Sequence, residues 1–327
     1  MGRRQCSPHL LSSMIYGITG NARKDKLWHP VAELIQWLQR ETLPFYVHPS
    51  LVRGLVARGL LEARHDAPVC EDLAREADVV LSFGGDGTML RTAHSTGIND
   101  TPLLGVNIGR LGFLADIEVG AVRRAIRLME AGDYRVERRM VLEATLPDES
   151  TPAEPRWALN EFVIDRSGAS GMIKVEAIVD GTPLNTYWAD GLIVATPTGS
   201  TAYSLSTGGP IIAPGCDAII LTPIAPHTLT VRPIVLPSSS DIRLRVLENT
   251  ESYVFAADGQ STVYDQHDVA FNIYRASHTV NLIKLPDQHY FKTLRSKLMW
   301  GAVSHLDDGS SPADATASLN EGGRSAA

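Results

Sequence analysis

One turn of the chain combines three glycines with a single carboxylate: Ser82-Phe83-Gly84-Gly85-Asp86-Gly87-Thr88-Met89-Leu90. Residues 78–81 before it are short and mainly apolar, which predicts a buried parallel strand. Thr88 can cap a helix that begins at Met89. The glycines and the carboxylate therefore lie where a strand passes into a helix, and unpaired backbone N–H groups at such a turn favour a phosphate.

Gly84, Gly85 and Thr88 are the expected phosphate contacts, but Asp86 does not suit that role, because a carboxylate repels phosphate. Its presence suggests a metal, a ribose hydroxyl or a proton to be removed. A P-loop needs a Lys-Ser or Lys-Thr pair after the glycines, and none follows. The dinucleotide fingerprint needs a third glycine where Leu90 stands. These residues alone are equally compatible with a plain surface turn, so a second motif has to decide.

Composition limits the class of protein. A chain of 327 residues can form two domains with proper cores, and 44% hydrophobic with 20% charged residues is typical of a soluble globular protein. The net charge of −7 argues against broad nucleic-acid binding. The three cysteines show no Cys-x-x-Cys spacing, so a reducing cytoplasm is the expected location. Neither a signal peptide nor a long apolar window is present, so we expect no membrane association.

Up to about residue 118, short apolar strands alternate with helical patterns, which is typical of a Rossmann-like parallel α/β sheet. The predicted strands and helices are strands over 14–21, 78–81 and 102–108, and helices from Pro30 and over 49–58. Ligands bind at the carboxyl ends of the strands in such sheets. The segments 84–88 and 107–112 both fall at such ends, so we expect them to lie together.

The pattern changes after a connecting helix predicted over 119–131. Ile173, Val175, Ala177 and Val179 alternate with other residues in the period of a half-buried strand. Further short strands are predicted over 242–246, 269–274 and 279–285, and a closing helix over 291–300. We therefore predict an α/β domain over 1–118, a mostly β domain over 119–290, a closing helix over 291–302 and a disordered tail over 303–327.

The second unusual segment is Asp190-Gly191-Leu192-Ile193-Val194-Ala195-Thr196-Pro197-Thr198-Gly199-Ser200-Thr201-Ala202-Tyr203-Ser204-Leu205-Ser206. A strand over 192–195 leads into a turn, after which Ser200 and Thr201 can cap a helix that ends near residue 207. Five Ser or Thr hydroxyls fall within residues 198–206, more than capping needs. They suit a ligand rich in hydroxyl, amide and phosphate oxygens.

Together, the turn at 84–88, the pair Asn160-Glu161 and the segment 190–204 resemble the NAD kinase family. Segments 107–114, 226–229, 258–260 and 294–300 are also similar, so the resemblance runs in order from about residue 15 to 301. Lipid kinases share the Gly-Gly-Asp-Gly turn, and phosphofructokinases share it more loosely. The hydroxyl-rich segment is far more specific.

The resemblance implies transfer of a phosphoryl group from ATP, or a related donor, to the 2′-hydroxyl of the adenosine ribose of NAD, with a divalent metal, expected to be Mg²⁺. It makes Asp86 the general base. The implied NAD contacts are Asp86, Gly87, Arg91, Asn160, Glu161, Asp190, Thr198, Thr201, Ala202, Tyr203, Ser204, Leu205, Ser206, Ala225 and Gln260. The metal ligands stay unknown, and His227 is interpreted as structural. The resemblance also implies a homo-oligomer, either a dimer or a tetramer.

Two positions depart from the pattern, because some family members carry basic residues where Gly171 and Trp188 stand here. Without basic residues at these two positions, electrostatic attraction of the dinucleotide by positions 171 and 188 is not expected. Two alternatives stay open: a lipid kinase of the diacylglycerol or sphingosine type, and a non-catalytic NAD(P)-binding sensor. A serine hydrolase is disfavoured, because Gly199-Ser200-Thr201-Ala202 breaks the Gly-x-Ser-x-Gly elbow.

Overall fold

The fold is known from a computed structural model, which describes residues 13–62, 64, 66–97, 99–109, 111–145, 156–168, 171–247, 252–265 and 269–300. The tail predicted over 303–327 and the last two residues of the predicted closing segment lie outside the described residues. Within those ranges, no helix is both long and apolar enough to cross a membrane.

The first half of the chain alternates strands and helices. In order these are β1 (Tyr16–Gly20), α1 (Trp28–Arg40), β2 (Phe45–Val47), α2 (Pro49–Ala57), α3 (Leu73–Glu76), β3 (Val79–Gly84), α4 (Asp86–Thr96), β4 (Leu103–Asn107), β5 (Ile117–Glu118) and α5 (Val122–Glu130). The strands run parallel in the order β2-β1-β3-β4, with β5 beside β4. This arrangement brings the ends of β3 and β4 side by side, so the residues that follow them meet at one edge.

Helices cover both faces of the parallel strands. Apolar residues of α1, α2 and α5 form one core with one face of the sheet, and α3 and α4 contribute to a core on the other face. In α1 the buried Val31, Leu34, Ile35 and Leu38 recur at helical spacing, as the sequence predicts. The helix begins at Trp28 rather than at Pro30. A proline fits inside the first turn because N–H groups there have no partner in the helix.

The second half is mainly antiparallel. Its strands and helices are β6 (Arg135–Thr145), β7 (Arg156–Ala158), β8 (Glu161–Arg166), β9 (Ile173–Val179), β10 (Thr182–Ala189), β11 (Gly191–Ala195), α6 (Tyr203–Ser206), β12 (Ala218–Ile224), β13 (Ile234–Pro237), β14 (Ile242–Val246), β15 (Tyr253–Ala257), β16 (Gln260–Tyr264), β17 (Ala270–Lys284) and α7 (Tyr290–Leu298). The predicted fold class, a parallel α/β part followed by a mostly β part, is confirmed.

Two sheets pack against each other in this half. One is antiparallel with the order β13-β12-β11-β8-β15-β16. The other continues the parallel strands, since Leu282 of β17 pairs with Leu103 of β4. Stacked rings of Phe162, Phe255 and Phe271, with centroids 5.3 and 4.2 Å apart, join the two sheets in their shared core. The predicted domains therefore share a sheet through β17, and their boundaries stay a prediction.

Three local predictions are wrong. Helix α4 begins at Asp86, because Gly85 takes the cap position with an extended backbone and leaves Thr88 inside the first turn. The strands predicted over 269–274 and 279–285 form the single strand β17, whose pairing with β6 shifts between Arg275 and Thr279. Residues 119–121 form a 3₁₀ turn, so the connecting helix α5 begins only at Val122.

Candidate active site

Asp86 occupies the first position of α4, and backbone groups of the loop after β4 hold its carboxylate. The N–H of Phe113 donates to Oδ2 at 2.8 Å, and the N–H groups of Leu114 and Ala115 donate to Oδ1 at 3.0 Å. A carboxylate has about four lone-pair sites, so about one stays available. The side chain is half-buried, which leaves that site able to accept a hydrogen bond from a hydroxyl.

Two glycines are required beside this carboxylate. A Cβ at Gly112 would overlap Oδ1 of Asp86, and a Cβ at Gly84 would overlap the hydroxyl of Thr88. Thr88 is buried, and its hydroxyl accepts a hydrogen bond from the exposed Arg91 at 3.3 Å. Gly84 and Thr88 therefore pack on each other, and this contact makes the turn from β3 into α4 a tight one.

Gly85 and Gly87 leave the start of α4 open. Gly87 is exposed with nothing near its Cβ position, and the nearest atom to a Cβ at Gly85 is Nζ of Lys24 at 3.9 Å. The first N–H groups of a helix have no partner in it and carry partial positive charge. This end of α4, with Lys24 beside it, suits an anion. Nothing in the sequence pattern singled out Lys24.

A second carboxylate, Asp258, organises the segment that carries Asn160 and Glu161. Its side chain is fully buried in the turn between β15 and β16. It accepts hydrogen bonds from the backbone N–H groups of Leu159 and Asn160, both at 2.8 Å, and of Glu161 at 3.2 Å. Gln260, a predicted NAD contact, is exposed just after this turn.

Asn160 and Glu161 are both 8% exposed. Burial raises the pKa of Glu161 to about 8, and the charge of Asp258 adds to this rise. A hydrogen bond from the Tyr203 backbone acts in the opposite direction and lowers the pKa. Its Oε2 atom is buried and has no hydrogen-bond partner in the described part of the chain. A buried carboxyl with an unpaired oxygen is suited to bind a ligand hydroxyl.

The hydroxyl-rich segment uses most of its hydroxyls to fold itself. Thr196 Oγ1 donates to the carbonyl of Leu159 at 2.6 Å, Ser200 Oγ to that of Pro197 at 2.6 Å, and Ser204 Oγ lies 3.0 Å from Thr222 Oγ1. A Cβ at Gly199 would overlap the carbonyl oxygen of Asn160. Several of the hydroxyls thus have a structural explanation, because they hold this segment to itself, to Leu159 and to Thr222.

The same segment differs in detail from its prediction. Residues 199–201 form a 3₁₀ turn and the single-turn helix α6 follows without a side-chain cap, so the predicted capping by Ser200 and Thr201 is wrong. Ser204 is fully buried, Thr198 is 7% exposed and Tyr203 is 39% exposed. The exposed or half-buried residues that can face a ligand are Thr201, Ala202, Tyr203, Leu205 and Ser206.

The remaining predicted contacts lie at the end of the β11–β12 pair. Asp190 is half-buried, pairs with Nε of Arg166 at 3.2 Å, and donates its N–H to the carbonyl of Ile224 at 3.0 Å. Ala225 follows with a φ of 43° and is exposed. Burial, with nearby carboxylates including Asp190, raises the pKa of Tyr203.

Trp188, one of the two departures from the family pattern, stacks on His227 with ring centroids 4.8 Å apart. The backbone N–H of His227 also donates to the carbonyl of Trp188 at 2.8 Å. Nζ of Lys174 lies 5.3 Å from the centroid of the Trp188 ring, which places one cation on this side. These contacts give His227 a packing partner.

The side chains of the described residues do not form a metal site by themselves. No three His, Cys, Asp or Glu side chains converge on one point within the described ranges. Both oxygens of Asp86 also face backbone N–H groups. Magnesium in nucleotide enzymes is typically held by one or two carboxylates together with substrate phosphates. We therefore assign no metal ligand among the described residues.

Comparison with known proteins gives matches over nearly the whole described chain. The ATP-NAD kinase N-terminal domain matches residues 16–134, and the ATP-NAD kinase C-terminal domain matches residues 159–285. The NAD kinase of Porphyromonas gingivalis is 40% identical over 286 residues, which cover 88% of this chain and 98% of that protein. The NAD kinase of Bacteroides fragilis is 39% identical over 293 residues, covering 90% and 100%.

Two solved structures share the fold. A yeast NADH kinase in complex with NADH superposes with a TM-score of 0.81 at 23% identity, covering 90% of each chain. An NAD kinase from Archaeoglobus fulgidus in complex with ATP superposes with a TM-score of 0.68 at 25% identity, covering 88% of this chain and 99% of the other. The likeness extends across both the parallel and the antiparallel parts.

Proposed function

The chain belongs to the ATP-NAD kinase family, and we propose that it transfers the terminal phosphoryl group of ATP to the 2′-hydroxyl of the adenosine ribose of NAD. NAD kinases that it matches along their whole length support this activity. The observation that carries the proposal is the Asp86 carboxylate, which is held by three backbone N–H groups at the open start of α4. A lipid kinase is not favoured, because the matched domains span both halves of the chain.

In the proposed reaction the 2′-hydroxyl donates a hydrogen bond to the free acceptor site of Asp86. The hydroxyl oxygen attacks the γ-phosphorus, the bond from that phosphorus to the β–γ bridging oxygen breaks, and ADP leaves. The hydroxyl proton passes to Asp86. A positioned base contributes about 10²–10⁴-fold, and the rest comes from holding the two substrates in line.

The start of α4 is the proposed place for the donor phosphates. Gly85 and Gly87 allow close approach of a ligand to the backbone, and the helix dipole favours negative charge there. Lys24 and Arg91, both exposed, add positive charge on either side. In this proposal Gly84 and Thr88 act indirectly, because they shape the turn by packing on each other.

The proposed dinucleotide site lies between the Asn160 turn and the segment 198–206. Glu161 offers a buried carboxyl whose Oε2 is unpaired in the described part of the chain, which suits a ribose hydroxyl. Tyr203 offers an exposed ring that can stack on a base. The other predicted contacts keep the roles that the family resemblance implies. The proposal also includes a cytoplasmic location, a role in NADP biosynthesis and a homo-oligomeric state. It further includes Mg²⁺ carried on the donor phosphates.

The test is NADP formation by the purified full chain with NAD, ATP and Mg²⁺, each omitted in turn. Product that requires all three supports the proposal. Absence of product, together with tight NAD binding by calorimetry, would instead support the non-catalytic sensor.

A further inference from the structure

A polar cavity of about 200 Å³ lies beside the loop that holds Asp86. It is lined by residues of that loop, of β6 and β17, and of the start of α7. Phe113 and Asp116, on either side of Leu114 and Ala115, both line it. Asp86 and the residues 84–88 are not part of its lining, so it is distinct from the proposed phosphate contacts of α4.

Two side chains that line the cavity each carry a buried hydrogen-bond donor with no acceptor among the described residues. Nε of Arg139 and the hydroxyl of Tyr290 are both buried, and neither has a partner in the described part of the chain. Arg139 is 4% exposed, and its other nitrogens bond to Glu137 Oε2 at 2.9 Å and Thr198 Oγ1 at 3.4 Å. Buried donors without partners are rare in proteins, so an acceptor is expected here.

The start of α7 lies at the same cavity. His289, Tyr290 and Phe291 all line it, and the His289 side chain does not cap the helix. The first N–H groups of the helix have no partner within it, and the helix dipole makes this end positive. The helix has nine residues, so its start carries a full first turn.

The charges around the cavity leave a positive surplus. Lys284 pairs with Asp116 at 2.6 Å, and Arg139 pairs with Glu137. Arg135 remains, with its guanidinium bonded only to carbonyl oxygens, those of Leu285 and Gln288, in the described ranges. The lining thus combines unpaired donors, a helix start and one excess cation, all of which favour a compact anion rich in acceptor oxygens.

We propose that this cavity binds a phosphate group between Arg139, Tyr290 and the start of α7. Its volume accepts a phosphate but not a whole nucleotide. The phosphate is either free orthophosphate or the end of a bound nucleotide. The ring centroids of Tyr290 and Phe113 lie 6.4 Å apart, so the proposed phosphate site is next to the loop whose N–H groups hold Asp86.

The experiment is calorimetric titration of the full chain with orthophosphate, comparing the unchanged protein with the variants Tyr290→Phe and Tyr274→Phe. Tyr274→Phe is the matched control, because that hydroxyl bonds to Glu143 at 2.8 Å and lies outside the cavity. We expect saturable binding that Tyr290→Phe weakens about tenfold, the loss of one hydrogen bond to a charged ligand. Tyr274→Phe should bind as the unchanged protein does.

A second arm repeats the titration with ATP present. If ATP weakens orthophosphate binding to the unchanged protein but not to Tyr290→Phe, the phosphate that the cavity binds is the end of a nucleotide. If ATP leaves orthophosphate binding unchanged, the cavity binds free orthophosphate. Absence of saturable binding, or equal affinity in all three proteins, overturns the proposal. Neither result depends on NADP formation, so this test stands apart from that of the proposed function.

Discussion

The imidazole of His94 and the carboxylate of Asp258, in the turn between β15 and β16, lie with Nε2 and Oδ2 2.9 Å apart although 164 residues separate them in sequence. His94 belongs to α4, the helix that begins with Asp86. Asp258 holds the backbone of Asn160 and Glu161. This contact therefore connects the helix of the proposed base to the proposed dinucleotide site.

Replacing His94 by Phe should loosen this connection. The ring can keep its stack on Trp157, now at 3.9 Å, while the buried Asp258 carboxylate loses one partner. We expect the free energy of unfolding to fall by about 1–3 kcal/mol in urea titrations, the cost of an unsatisfied buried group. The KM for NAD should rise as the Asn160 turn shifts.

The control for this change is His29→Phe, at an exposed position of α1. His29→Phe should leave the free energy of unfolding and the KM for NAD unchanged. Equal stability of His94→Phe and the unchanged protein would show that the bond to Asp258 contributes nothing.

Gly112→Ala should displace the Asp86 carboxylate. The added methyl group would overlap Oδ1, whereas Gly109→Ala meets only Oδ1 of Asn107 at 3.9 Å and serves as the matched control. A displacement of about 1 Å can cost about 10²-fold in rate, so kcat for NADP formation should fall by that order in Gly112→Ala alone. Similar kcat values in the two variants would contradict the close packing of Gly112 on Asp86.

Glu161 makes stability depend on pH. Its pKa in the folded protein is raised from 4.5 to about 8, so the folded state binds this proton more tightly than the unfolded state. The stabilising contribution is complete below pH 4.5 and is lost as the pH rises through 8. Glu161→Gln does not titrate and should lack this loss.

The measurement is the free energy of unfolding of both proteins across that pH range. The free energy of unfolding of the unchanged protein, minus that of Glu161→Gln, should fall by a few kcal/mol as the pH rises. The fall is about 1.4 kcal/mol for each unit between the folded and unfolded pKa values of Glu161. A difference that is constant with pH would show that Glu161 is ionised alike in both states.

Local sequence patterns predicted the parts of the site that lie next to each other in the chain. The apolar run before Gly84 and the glycines after it specify a strand-to-helix turn, because both signals act over a few residues. The parallel order then brings the loop after β4 beside that turn. The predicted meeting of segments 84–88 and 107–112 follows from this topology.

The sequence could not show the partners that arrive from far away. Asp258 bonds to Leu159 across 99 residues, and in the sequence only the family resemblance of segment 258–260 marked its position. The sequence predicts the hydroxyls of residues 198–206 as ligand contacts, whereas Ser200 donates to the carbonyl of Ile212 and Ser204 bonds to Thr222 in the folded chain. Such contacts depend on the fold and not on local pattern.

The central claim is that Asp86 removes the proton from the acceptor hydroxyl, and Asp86→Asn tests it most directly. The amide keeps the size of the carboxylate and one oxygen for the N–H groups of residues 113–115, but it cannot accept the proton. Asp78→Asn is the matched control, because the Asp78 carboxylate also accepts a backbone N–H, that of Ile15 at 2.8 Å, outside the site. The quantities to measure are kcat for NADP formation and the calorimetric Kd for NAD. We predict that Asp86→Asn binds NAD but loses at least about 10²-fold in kcat, while Asp78→Asn keeps its activity. Near-normal turnover in Asp86→Asn would contradict the role of Asp86 as the base.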